Sequence, residues 1–227
     1  SKINVMQIEQ LKEILKEFGE NVKFDYDLKK KNWFNIGGKS KVFYQADNLK
    51  SLVNFLKKIN NKEKIFILGA GSNTLVKDDL YDGVVIKLSK NFNNISLLGK
   101  NTIIAGSAVL DKSLSVFAMN NNLSGFEFLS CIPGTIGGGI KMNAGCFGKE
   151  FKDILLSIQV IDKFGNVKSI PSKHIKFEYR KSNLPEDLIF LSASFRGTKD
   201  NFVKIEKKIN KLKLEKGKNQ PTKIKTS

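Results

Sequence analysis

An α+β fold is what this sequence predicts, and three observations carry it. Apolar residues recur at helical spacing in several separated stretches. Short runs rich in Ile, Val and Leu lie between them, broken by clusters of Asn, Asp and Gly. Neighbouring strands are often joined by turns too short for a parallel crossover, which favours a mixed arrangement over a doubly wound sheet. At 227 residues the chain suffices for one large domain or two small ones, with a real core.

Each element has its own signal. Val5, Met6, Ile8, Leu11, Ile14, Leu15 and Phe18 mark an amphipathic N-terminal helix that Gly19 stops. Lys41 to Ala46 reads as a strand, after which Asp47 or Asn48 can cap a helix bearing Leu49, Leu52, Val53, Phe55, Leu56 and Ile59. Ile65 to Leu68 is a short buried strand running into a glycine turn. Gly83 to Leu88, Ile95 to Leu98 and Thr102 to Ala105 follow as short strands. Asp111 to Asn120 has helical spacing and stops at its Asn cluster. Leu155 to Ile161 and Val167 to Ile170 flank a five-residue turn, a hairpin signal. Leu188 to Phe195 is a further strand, and Phe202, Ile205, Ile209 and Leu212 make a closing amphipathic helix. No repeat of fixed period occurs.

Composition excludes several classes. Hydrophobic residues at 41% and charged residues at 27% are ordinary globular values, which excludes wholesale disorder. No apolar run is long enough for a transmembrane helix, and residues 1–10 carry no secretory pattern. Cys131 and Cys146 are too few for a disulfide framework, so a reducing cytoplasm is expected. The net charge of +17 invites a nucleic-acid reading. Arg180 and Arg196 are the only arginines, however, and the guanidinium fork is what base reading and bidentate phosphate grips use. The lysines are scattered, densest from Lys199 to Ser227, and read as a solvated surface.

Glycine carries the functional signal. Six of the 18 glycines fall between Gly134 and Gly148. Gly69 and Gly71 form a second knot at the end of a strand, in Gly69-Ala70-Gly71-Ser72-Asn73, and Gly37-Gly38 a third. Glycine permits positive φ and close backbone approach, so successive N–H groups can converge on an anion. The dinucleotide fingerprint fails because Thr74 stands where its third glycine belongs, and no Walker-type Gly-Lys-Ser/Thr string occurs. Either knot alone could be a tight turn. Three together point to an extended, phosphate-bearing cofactor.

The strings Trp33-Phe34-Asn35-Ile36-Gly37-Gly38, Ile67 to Lys77, Gly83 to Leu88, Gly125 to Glu150 and Phe177 to Ser182 occur in that order. Together they closely resemble the UDP-N-acetylenolpyruvoylglucosamine reductase (UDP-N-acetylmuramate dehydrogenase) family, over nearly all of the chain from about Asp27. The resemblance implies the vanillyl-alcohol-oxidase type of FAD-binding fold, with two α+β subdomains, here residues 1–88 and 89–198. Residues 199–227 would then be a helix and a linker to a substrate domain.

It also implies roles. Gly69, Ala70, Gly71, Ser72 and Asn73 would cradle the FAD pyrophosphate. Pro133, Gly134, Thr135, Gly137, Gly138, Asn143 and Gly145 would line the isoalloxazine and its linker. FAD would be held non-covalently, with NADPH as hydride donor and the enolpyruvyl ether of UDP-N-acetylglucosamine as acceptor. Arg180, in Tyr179-Arg180-Lys181-Ser182, matches the family arginine that steadies the enolate-like charge; without the resemblance it would read as a surface arginine. No metal site is implied. A cytoplasmic monomer serving peptidoglycan synthesis, and so cell-wall biogenesis, cell shape and cell division, is expected.

Other residues keep plainer readings. His174 is expected at the surface, Cys131 and Cys146 as small buried side chains, and Trp33 in packing, though it could stack on adenine. The family's Gly-Ser-x-Phe string, whose serine donates a proton, would begin where the chain stops at Ser227. A fragment of a working reductase, inactive or weak by itself, is therefore expected, the alternative being an FAD-binding module without reductase activity of its own.

Overall fold

The structure, a computed structural model, describes residues 7–28, 39–68, 82–178, 181–185 and 187–219. They fall into two compact units. One comprises residues up to Phe92 with 159–168 and 185–191; the other comprises 93–158, 169–184 and the chain from Ser192 onward.

The first unit opens with α1 (Ile8–Ile14). This helix is shorter than its apolar spacing predicts, because the chain tightens into 3-10 turns over Lys16–Asn21, where Gly19 takes φ 52°. Strand β1 (Val22–Asp27), which has no clear signal in the sequence, pairs antiparallel with β2 (Lys39–Ala46). Helix α2 (Leu49–Ile59) follows, then β3 (Lys64–Leu68) and β4 (Gly83–Leu88). The sheet order is β1-β2-β4-β3, with β4 parallel to both β2 and β3. Thus α2 serves as the crossover between two parallel strands, and β4 enters the gap between them.

Of the two candidate caps for α2, Asn48 is the one used: its side chain accepts the Ser51 N–H at 2.8 Å. The helix ends at Asn60 in the left-handed region. Leu52, Phe55, Leu56 and Ile59 are buried, and Phe55 stacks on Tyr44 of β2 with centroids 4.0 Å apart. Phe18 meets both rings edge-on. A separate cluster gathers Leu28, Phe43, Leu68 and Val85, so β2 contributes to two sets of packing, as its nearly unbroken burial requires. Beside it Lys41 and Glu63 form a buried ion pair at 2.8 Å.

In the second part of the chain, β5 (Ile95–Leu98) and β6 (Thr102–Gly106) form a hairpin. Then come α3 (Asp111–Asn120), β7 (Leu123–Ser124), a buried 3-10 turn over Glu127–Cys131 and α4 (Ile136–Lys141). Strands β8 (Gly145–Cys146) and β9 (Lys149–Glu150) make a small hairpin. Longer strands follow, β10 (Leu155–Ile161) and β11 (Val167–Pro171), and then the two-residue pair β12 (Phe177–Glu178) and β13 (Lys181–Ser182). The chain closes with β14 (Ile189–Arg196), β15 (Thr198–Lys199) and α5 (Phe202–Asn219). The five-stranded sheet runs β11-β10-β14-β6-β5. Its β14/β6 and β6/β5 pairs are antiparallel, so parallel and antiparallel pairing coexist in one chain, as the short turns predict.

Helix α5 buries Ile205 and Ile209 against the turn 127–131 and leaves its lysines, Lys216 excepted, in solvent. Glu127 fastens this region: its carboxylate accepts the Gly125 N–H, and Lys208 of α5 lies 3.8 Å away. Among the described residues no helix is long and apolar enough to cross a membrane.

Replacing the α2 cap tests this account. Asn48→Ala should lower unfolding free energy by about 1 kcal/mol and Asn48→Gly by only a few tenths. Urea denaturation measures both, and equal losses would show that the cap bond contributes nothing.

Candidate functional site

The glycine-rich segment from Ile132 to Phe151 is built around α4. Three backbone bonds lay its start along the loop after β6: Gly137 N–H to Ser107 O at 2.8 Å, Ile136 N–H to Val109 O at 2.9 Å and Asp111 N–H to Gly134 O at 3.0 Å. Thr135 then caps the helix, its hydroxyl accepting the Gly138 N–H at 3.3 Å. This is how Ile-Gly-Gly-Gly-Ile-Lys, poor in helix propensity, becomes helical: tertiary bonds and a cap offset the entropy of three glycines.

These bonds sort the expected cofactor-lining residues. The amides of Ile136, Gly137 and Gly138 are used within the protein. Pro133 and Gly134 are exposed and Thr135 is half-exposed. Among the described residues, the Gly134 and Thr135 amides have no hydrogen-bond partner. Gly134 holds φ 114°, and among the described residues nothing would touch an added Cβ, so backbone conformation is what demands glycine there. Gly145 is different. A Cβ would meet Lys149 O at 2.5 Å, so this glycine closes the β8–β9 hairpin. Gly139 is likewise spatial, with the Phe151 ring 2.4 Å from where its Cβ would lie.

Asn143 closes α4 at φ 45° and is buried. Its Nδ2 donates to Glu178 O at 3.2 Å, and Ser182 Oγ donates to Lys141 O at 2.9 Å. The strands β12 and β13 are therefore fastened to the end of the glycine-rich helix. Lys181, hydrogen-bonded to Glu178 and beside it in charge, holds that carboxyl below its usual range. Tyr179 and Arg180, between these strands in sequence, lie outside the described residues. So do Gly69, Ala70, Gly71, Ser72 and Asn73, and also Trp33. His174 is exposed, Cys131 is buried and Cys146 half-buried.

Two residues that sequence reasoning passes over stand next to the segment. Asp111, the first residue of α3, is fully buried, neither of its carboxyl oxygens has a hydrogen-bond partner among the described residues, and burial pushes its pKa up to about 8. Ser107 Oγ and Asn143 Oδ1 are also buried without partners. An Asp at a helix start ordinarily reads as a solvated N-terminal acid, so only the fold discloses its burial. Phe147, at the tip of β8–β9, holds φ 51° in a two-residue turn with Gly148 at φ 78°. A bulky residue is strained in that conformation.

The donor set fits FAD. Its pyrophosphate and ring carbonyls are acceptors, and an exposed Pro-Gly-Thr stretch offers two unused amides with no large side chain in the way.

Comparison with known proteins gives the same class. The FAD binding domain family matches residues 40–170. UDP-N-acetylenolpyruvoylglucosamine reductase of Pelagibacter ubique is 63% identical over 222 residues, which are 98% of this chain and 74% of that protein. The crystal structure of the UDP-N-acetylenolpyruvylglucosamine reductase of Thermus caldophilus superposes with a TM-score of 0.65 at 28% identity, covering 82% of this chain and 66% of that one. BBE-like 1 of Physcomitrella patens, at 16% identity and a TM-score of 0.54 over 86% of this chain and 45% of that one, shares the fold alone. The fold and site thus define a flavoprotein domain of the vanillyl-alcohol-oxidase type. Within that class, the chain belongs to the UDP-N-acetylenolpyruvoylglucosamine reductase family.

Two outcomes are expected. Gly139→Ala drives a methyl into Phe151 and should cost roughly 1–3 kcal/mol in chemical denaturation, with Phe151→Leu recovering most of it. Asp111 is protonated in the folded protein up to about pH 8 but titrates near 4 when unfolded. Between those values the native state binds the extra proton, so stability falls as pH rises, on the order of 1 kcal/mol per pH unit. Asp111→Asn should flatten that slope between pH 5 and 8 (about the window in which only the folded form holds the proton); an unchanged slope would assign it to other groups.

Proposed function

We propose that this chain carries the flavin-binding part of an NADPH-linked reductase that converts the enolpyruvyl ether of UDP-N-acetylglucosamine into UDP-N-acetylmuramate, in the cytoplasm and as a monomer. The observation that carries the reading is the pairing of unused backbone donors at Gly134 and Thr135 with a helix whose far end is fastened to the strands flanking Arg180. The identity to reductases of that name supports the substrate.

On this reading Gly69, Ala70, Gly71, Ser72 and Asn73 receive the pyrophosphate, within a first subdomain of residues 1–88. Pro133, Gly134, Thr135, Gly137, Gly138, Asn143 and Gly145 hold the ring end, within a second of residues 89–198. Residues 199–227 lead to a substrate domain. Bound FAD supplies the hydride exchange between nicotinamide and substrate. Arg180 places a permanent cation beside the substrate carboxylate, where negative charge grows as the enol ether is reduced. A cation so fixed favours the transition state over the ground state, because the charge it faces is larger there. Asn143 acts on that arginine by position, holding the Glu178 carbonyl two residues away. An uncharged replacement would leave the growing charge to water.

The purified protein should be yellow and release FAD when denatured; colourless protein that takes up no added FAD would overturn the proposal. Arg180→Gln should slow substrate reduction about 10²–10³-fold while anaerobic flavin reduction by NADPH proceeds at its normal rate. Equal loss in both half-reactions would remove Arg180 from the role. Substrate-stimulated NADPH oxidation by this chain would overturn the alternative, a flavin-binding module with no reductase activity of its own.

A further inference from the structure

We propose that Cys131 and Cys146 form a dithiol site that closes reversibly into an intramolecular disulfide by exchange with a small-molecule disulfide of the glutathione type. They are the two cysteines of the chain, and each holds a free thiol. Fifteen positions separate them, and the glycine-rich segment lies between. The fold brings them together: Cys131 ends the turn over Glu127–Cys131, which packs against β8, and Cys146 is the second residue of β8. Cys131 is among the groups that raise the Cys146 pKa, in keeping with the packing of β8 against the turn that Cys131 ends.

Both partners are held in place. Ser130 Oγ lies 3.7 Å from the Cys131 sulfur, and Lys216 of α5 donates to the Cys131 carbonyl. Cys146 is placed by the hairpin register, Gly145 opposite Glu150 and Cys146 opposite Lys149, across the tight Phe147-Gly148 turn. Gly145 has no room for a side chain, so the register cannot slip easily. The described residues include no group of three or more His, Cys, Asp or Glu side chains suited to a metal ion.

Exposure sets the order of events. Cys131 is 4% exposed and Cys146 is half-buried beside an open cleft lined by residues 142–150, so Cys146 meets the oxidant first. Its thiolate attacks one sulfur of oxidised glutathione, forming a mixed disulfide and expelling one glutathione thiolate. The Cys131 thiolate then attacks the Cys146 sulfur and expels the second. The protein loses two electrons and two protons, and one glutathione disulfide becomes two thiols. Burial, and then the Cys131 thiol, raise the Cys146 pKa, while Lys216 draws it down. The first step should therefore be slow at neutral pH and quicken about tenfold per pH unit while the thiol remains mostly protonated.

The test uses the whole chain, reduced, freed of reductant and incubated with oxidised glutathione. Acid-quenched intact mass spectrometry should show loss of two hydrogens, and peptide mapping should join the Cys131 and Cys146 peptides; dithiothreitol should reverse both. Cys131→Ser should stop at a single glutathione adduct on Cys146. Wild-type protein that accumulates stable glutathione adducts, or links only between chains, would overturn the proposal. The readout is covalent and does not depend on bound flavin, so it stands apart from the reductase reading.

Discussion

The bonds from Ser107 O and Val109 O to the amides of Gly137 and Ile136, returned by Gly134 O to Asp111 N–H, decide what the glycine-rich segment is able to present. They consume the amides that would otherwise crown a short helix. They also turn those of Gly134 and Thr135 outward, at a point where a positive φ forbids a side chain. Everything else about the site follows from that loop-to-loop seam. It sets where α4 begins and hence where Asn143 ends it, and Asn143 in turn fastens β12 and β13. In sequence, Tyr179 and Arg180 stand between those two strands.

Behind the seam, packing is aromatic. Phe151 occupies the space that Gly139 leaves free and meets Phe128 and Phe195 at centroid distances of 6.1 and 6.2 Å; Phe126 meets Phe195 at 6.1 Å. The turn over Glu127–Cys131, α4 and β14 are thereby tied into one body of rings with few alternatives. Such interiors transmit small volume changes instead of absorbing them. Asp111 escapes most of the cost of a buried charge by staying protonated up to about pH 8.

How much of this was legible in the sequence depends on the scale of the signal. Helix α2, helix α3, β4 and β10 announce themselves by long apolar periodicity, and their limits agree with the structure. Strand β1 does not, because Val-Lys-Phe-Asp-Tyr-Asp mixes edge-strand charges with half-buried rings. The two-residue strands carry no period at all. Helix α4 is hidden by its own composition, since three adjacent glycines argue against a helix until the cap and the seam are seen. At the site, Thr135, Gly134 and Asn143 were legible as a pattern, yet their tasks differ: cap, positive-φ donor and fastener. Gly139 and Gly145 stand in the same glycine-rich run, and at each the neighbouring atoms leave no room for a side chain. Ser107 and Asp111 carry no sequence signal, because their burial arises from residues far along the chain. Gly69 to Asn73 and Arg180 lie outside the described residues.

The order β1-β2-β4-β3 has a kinetic meaning. During synthesis β1, β2, α2 and β3 all emerge before β4; β2 has β1 on one side, but its other edge and β3 meet their neighbour only when β4 slots between them. Until then both offer open edges to one another or to a second chain. The unit also waits for residues 159–168 and 185–191, synthesised much later, one of which sets Gly165 against α2. Such late, non-local closure slows folding and lengthens exposure of unpaired strands. A dense coat of lysine in the nascent chain keeps like-charged copies apart through that interval.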